Sequence, residues 1–279
     1  MKTKATITKT DVIVASSCVL FLLIIMGGSG SCGRRRAMER AVCLSNLKRL
    51  TLAWIIYADD NDDKIVNGMA GKDREEGGVV SEKAWTGKDW ADGYEAGAQL
   101  PEDEQIKQIK EGSLWPYCKY LKLYSCPGGL PGQNRTYSIV DSMNGVPRAG
   151  TWTGDEGKRV GMTVLWLKKR TEFSSPMPAY RMVFIDEGRA TPDSFAVHYD
   201  KEQWWASPPV RHAKGTHVSF ADGHSEYWEW KARETVKLGK STDRSSSHIN
   251  IVPQSSKGKE DLHRLQEAVW GKLGYTPSD

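Results

Sequence analysis

From Val12 to Met26 the chain carries no charge, and Lys2, Lys4, Lys9 and Arg34-Arg35-Arg36 flank this run. Counting Gly27 and Gly28 it reaches about 17 residues, the practical minimum for crossing a bilayer. The pattern therefore predicts a transmembrane helix over 12–28, a cytoplasmic N-terminus over 1–11 and a glycine-rich joint over 29–34. A cleaved signal peptide shares the basic start and apolar middle. A lipoprotein signal acylated at Cys32 is a third option, but Ser29-Gly30-Ser31 lacks the leucine of such sites. The retained anchor is favoured. Beyond it, Cys43, Leu47, Leu50, Trp54 and Tyr57 recur at steps of 4, 3, 4 and 3. That spacing places them on one helical face, with Arg40, Lys48 and Arg49 off the stripe.

After a loop-rich stretch the period changes from helical to alternating. Residues 135–140, 164–167 and 181–186 are rich in β-branched and aromatic residues and read as strands. Residues 216–221 and 224–230 flank Asp222-Gly223, a pair that favours a two-residue type I′ hairpin turn. Pairing across such a turn puts Val218, Phe220 and Tyr227 on one face, the surface expected to receive the amphipathic helix. Residues 232–258 are polar and read as a linker. Leu262, Leu265, Val269 and Leu273 mark a final helix within 259–279. The fold class expected is α+β: a membrane helix, then an amphipathic helix on an antiparallel sheet, with a C-terminal helix. The globular part covers 35–231.

Composition changes this picture little. At 279 residues there is room for a substantial core. The net charge of +4 is mild, and the basic clusters lie beside the apolar run, so nucleic acid is not an expected partner. Of five cysteines, Cys43, Cys118 and Cys126 fall in the globular part. One disulfide among them suits an exported domain, and spacing leaves its pairing open.

Cys43-Leu-Ser-Asn-Leu-Lys-Arg-Leu50 followed by Tyr57-Ala-Asp-Asp-Asn-Asp62 resembles the first helix of bacterial prepilin-like, type II secretion pseudopilin-like proteins. Ser113–Tyr117, Cys126-Pro127 and Thr136–Gly145 are similar to the middle of that group. His212, nine residues, then Asp222-Gly223 matches its His-x9-Asp-Gly signature. The resemblance implies a single-pass inner-membrane protein with a periplasmic or extracellular domain. It also implies a structural, non-enzymatic role, with pilin-like or secretion-system subunits as partners. The processing site departs from the pattern: Asp11 is the nearest acidic residue and would place the cut between Thr6 and Ile7, with no Gly-Phe-Thr sequence.

Three other chemistries bear weighing. His212, His217, His224, Asp222 and Glu226 suggest zinc by residue type, but a paired hairpin holds His217 and His224 about 13 Å apart along the strand. His212 is expected instead to pin the hairpin loop through Asp222 or the turn backbone. Asp59, Asp60 and Asp62 suggest calcium, yet lack the glycine and distal glutamate of an EF-hand. No cofactor is assigned. Trp228 and Trp230, two apart on one strand, would make a cell-surface glycan platform if exposed.

Overall fold

The computed structural model describes residues 31–90, 99–148, 157, 159–242 and 249–278. By compactness the chain divides into residues 1–39 and 40–279. Helix α1 spans Ser31–Asp60 and α2 Glu102–Glu111. Two small hairpins, β1 (Arg74–Glu76) with β2 (Val79–Glu82) and β4 (Arg159–Val160) with β5 (Thr163–Val164), precede and follow the first strand of the main sheet in sequence. That sheet contains β3 (Tyr137–Ile139), β6 (Met182–Asp186), β7 (Gly215–Phe220) and β8 (Ser225–Glu229), antiparallel throughout and ordered β3-β6-β7-β8. Helices α3 (Arg233–Thr242) and α4 (Ser256–Trp270) complete the chain.

The expected membrane helix is corrected. No helix among the described residues is long and apolar enough to cross a membrane, and the run 12–28 lies outside them. The joint expected over 29–34 is also not a break where it is described, because α1 already runs from Ser31. A single glycine, Gly33, costs a helix only about 1 kcal/mol, and the Arg35–Glu39 pair one turn apart supports this first stretch.

Downstream, Cys43, Leu47, Leu50, Trp54 and Ala58 are fully buried. Tyr57 is only half-buried and packs edge-on against Tyr117. A helix of 3.6 residues per turn drifts off a strict 3.5-residue stripe, so Ala58 replaces Tyr57 on the inner face. Hydrogen bonds tie α1 to the hairpin of β7 and β8: Thr51 Oγ1 donates to Ser219 Oγ at 2.6 Å, and Ser225 Oγ to the Leu44 carbonyl at 2.9 Å.

Strand β7 presents the opposite set of residues from the one expected, while Tyr227 of β8 keeps the expected side. Ser219 pairs with Ser225 and His217 with Tyr227, so the loop has three residues, Ala221-Asp222-Gly223, rather than two. The Phe220 N–H donates to the His224 carbonyl and the Gly223 N–H to the Phe220 carbonyl, closing the loop. One extra loop residue shifts the register and reverses which faces match. Val218 and Phe220 consequently face away from α1, while His217, Ser219 and Tyr227 face it. The other side is covered by α4, whose Arg264 guanidinium lies 3.8 Å from the centre of the Trp228 ring. Gly223 carries φ of +95° at the loop tip. A Cβ there would meet nothing closer than 3.5 Å, so the positive φ itself strains Gly223→Val whatever the space around it. Thermal or urea melting of that variant should show a loss of at least about 1 kcal/mol.

The expected linker holds α3. The Glu234 carboxylate accepts from Ser255 N at 2.8 Å, and buried Asp261 accepts from Lys231 N and Ala232 N. Capped by Ser255, α4 begins three residues before the expected start, and Gly271 ends it in the left-handed conformation.

Candidate functional site

The register that turns polar residues toward α1 also builds a polar centre beneath it. Tyr137 pairs with Asp186, the Ile185–Val218 pairing sets Asp186 opposite His217, and His217 pairs with Tyr227. These four residues form one row across the sheet, under the first buried turn of α1. Cys43 completes the row from above: its Sγ donates to Asp186 Oδ2 at 3.1 Å, and Tyr137 OH donates to that sulfur at 3.4 Å.

Two loops supply the remaining groups. His212 sits in a tight turn before β7, its backbone N–H bonded to the Gly215 carbonyl. Its Nε2 lies 3.0 Å from Asp186 Oδ2 and 3.2 Å from Cys126 Sγ. Cys126 begins the turn Cys126-Pro-Gly-Gly129, where the Gly128 N–H donates to its sulfur at 3.3 Å. Asn46 of α1 holds this loop from above through the carbonyls of Lys122 and Ser125. Cys43, Asp186 and His217 are completely inaccessible, and His212 and Cys126 are each 5% exposed.

Burial and charge act in opposite senses here. Burial pulls the His212 pKa down, but its bonds to Asp186 and Cys126 prevail and push it up to about 9. The same bond, against the effect of burial, holds Asp186 below the usual carboxylate range. Burial drives the Cys43 thiol well up, whereas the hydrogen bond from Cys43 leaves the Cys126 thiol lowered. Burial, then the His212 charge, pushes His217 down to about 4, so its ring is neutral. The centre is thus an imidazolium–carboxylate pair among thiols. Neither ring nitrogen of His217 has a hydrogen-bond partner, although its ring centre is 4.0 Å from that of His212.

This arrangement is poorly suited to nucleophilic catalysis. A Cys–His–Asp relay needs thiol and carboxylate on different nitrogens of the imidazole. Here Cys126 and Asp186 share Nε2. The donor set does match a metal centre: Cys43, Asp186, His212 and His217 each offer a ligand atom, all within 4.8 Å of one another.

Of the residues singled out in the sequence, His212, Cys43, Cys126 and His217 converge here. Several of the other expectations are corrected. His212 bonds neither Asp222 nor the hairpin turn, which lies at the opposite end of β7. Asp222 instead binds His224, through its backbone N–H at 3.1 Å and Nδ1 at 2.6 Å. Cys43, Cys118 and Cys126 are free thiols, and Cys118 lies apart with Tyr124 OH 3.1 Å from its sulfur. Trp228 and Trp230 are 3% and 2% exposed and form no glycan platform. Arg264 covers the first, and the indole of the second donates to the Pro209 carbonyl. Asp59 and Asp63 both pair with Arg170. The metal-ligating group found among the described residues includes none of Asp59, Asp60 and Asp62. Thr6, Ile7 and Asp11 lie outside the described residues. Sequence reasoning passed over Asp186 and Tyr137. The available signal was an aspartate ending the apolar run Met182-Val-Phe-Ile185, where a strand otherwise buried on both sides closes on a charge. No protein-family model, no curated protein and no solved structure matches this chain.

Proposed function

We propose that this chain is a pseudopilin-like structural subunit, of the type II secretion or type IV pilus-like kind, that packs against other pilin-like chains through the outer face of α1. The observation carrying this reading is the outer face itself. Val42, Leu52 and Ile56 are 42%, 43% and 48% exposed, although the inner face of the helix is already fully used by the sheet. At 100° per residue these three fall within about a quarter of the circumference. An apolar stripe on an otherwise charged helix is the pattern of a surface that seats another helix. The helix-on-antiparallel-sheet arrangement and His212-x9-Asp222-Gly223 support the same assignment.

A catalytic role is not favoured, because the one dense cluster of reactive groups described is closed to solvent. A glycan-binding role loses its platform with the burial of Trp228 and Trp230. Placing a benzoylphenylalanine photocrosslinker at Leu52 or Ile56 in intact cells tests the proposal. Adducts with a second copy or another pilin-like chain are expected, and none from a crosslinker at exposed Lys237. Uncrosslinked monomer from both outer-face positions would overturn it.

A further inference from the structure

We propose that the centre beneath α1 is a binding site for a zinc-class divalent ion, held by Cys43, Asp186, His212 and His217. This inference is independent of assembly. It rests first on geometry: ligand atoms from all four residues lie within 4.8 Å of one another. The Cys43–Asp186 and Asp186–His212 edges are 3.1 and 3.0 Å. Zinc bonds of about 2.0–2.3 Å in a tetrahedron put ligands about 3.3–3.8 Å apart, so these edges need to open by only a few tenths of an ångström.

His217 supplies the second, independent observation. It is completely buried, and both ring nitrogens lack a hydrogen-bond partner. A buried imidazole left in that state costs free energy, and coordination to an ion would satisfy it. The donor types then select the ion. Thiolate and imidazole suit zinc and its borderline neighbours, whereas calcium and magnesium take oxygen ligands.

Charge and geometry together select the four ligands from five candidates. A Cys43 thiolate and the Asp186 carboxylate cancel a doubly charged ion, with both histidines neutral, so the filled centre is uncharged in a site closed to water. Adding a Cys126 thiolate would leave a net negative charge. One thiolate alone therefore ligates, and Cys43 is the cysteine whose sulfur lies within 4.8 Å of donor atoms from the other three residues, which leaves Cys126 as the adjoining sulfur beside His212. On binding, the Cys43 thiol and the His212 imidazolium each lose one proton to solvent, and no electron is transferred.

The test uses the full chain, stripped with a chelator under reducing conditions and titrated with zinc and with cobalt(II). One equivalent should bind per chain. Cobalt should give a sulfur-to-metal charge-transfer band with the intense visible bands of a four-coordinate site, and zinc should raise the melting temperature. His217 makes no hydrogen bond, so His217→Gln should fold as well as the parent in chelator. It should nevertheless weaken cobalt binding by more than about 100-fold, beyond what loss of an outer-layer contact causes. Cys43→Ser should abolish the charge-transfer band, and Cys118→Ser should change neither. Three results would each overturn the proposal: no charge-transfer band, unchanged affinity in His217→Gln, or a Cys43–Cys126 disulfide in peptides from the freshly isolated chain.

Discussion

Trp54→Ala is expected to destabilise the chain by about 3–5 kcal/mol, the range for truncating a buried tryptophan. Trp54 is fully buried on the inner face of α1, with the Phe173 ring edge-on at 6.5 Å. For a domain of this size that loss lowers the melting temperature by on the order of 10 °C. The control is Ile56→Ala on the exposed face of the same helix, where a change within about 0.5 kcal/mol is expected. The two variants change helix propensity in the same direction, so the difference between them reports burial rather than helix formation. Carried further, a shortened chain beginning after Asp63 should show no cooperative melt, while one retaining residues from Arg35 should. A cooperative melt from the shorter chain would mean that the inner stripe is dispensable, and the helix-on-sheet reading would lose its basis.

Asp186→Ala carries the second large effect. Its carboxylate is completely buried and accepts from His212 Nε2, from Cys43 Sγ and from the Gly188 N–H at 2.9 Å. Removing one partner of a buried ion pair strands the other, at a cost of about 3–5 kcal/mol. The stranded group is His212, which Asp186 keeps protonated through neutral pH. Measured with a chelator present, Asp186→Ala combined with His212→Leu should therefore cost less than the sum of the two single changes. The expected coupling is about 1–3 kcal/mol. Simple additivity in urea melts would show that the pair does not act as a unit.

The inner stripe of α1, the β6 to β8 strands and the final helix were all legible in the sequence. Each is a local periodicity, and local periodicity depends only on which residues recur along one element. The α3 helix was less visible because its polar residues, from Arg233 to Thr242, match a linker in composition. What holds it there is Glu234 reaching Ser255, a contact across 21 positions. The site shows the same division. His212 drew attention through its spacing from Asp222-Gly223, yet its partners are Asp186, 26 residues earlier, and Cys126, 86 residues earlier.

The sequence by itself determined that helix and sheet would meet through one apolar face of α1, because burying that stripe is favourable wherever a partner surface exists. Only the tertiary structure decided which sheet face it meets. A hairpin loop of three residues instead of two exchanges the two faces, and the composition of Asp222-Gly223 fits either length. That single residue of register puts His217 and Ser219 of β7 under α1, beside Tyr227, in place of Val218 and Phe220, and so decides that the centre of this protein is polar. Cys43, Cys126, Asp186, His212 and His217 come from five separate segments, and no pattern along the chain relates them. They meet because the helix, two loops and two neighbouring strands close over the same point, which is a property of packing rather than of spacing.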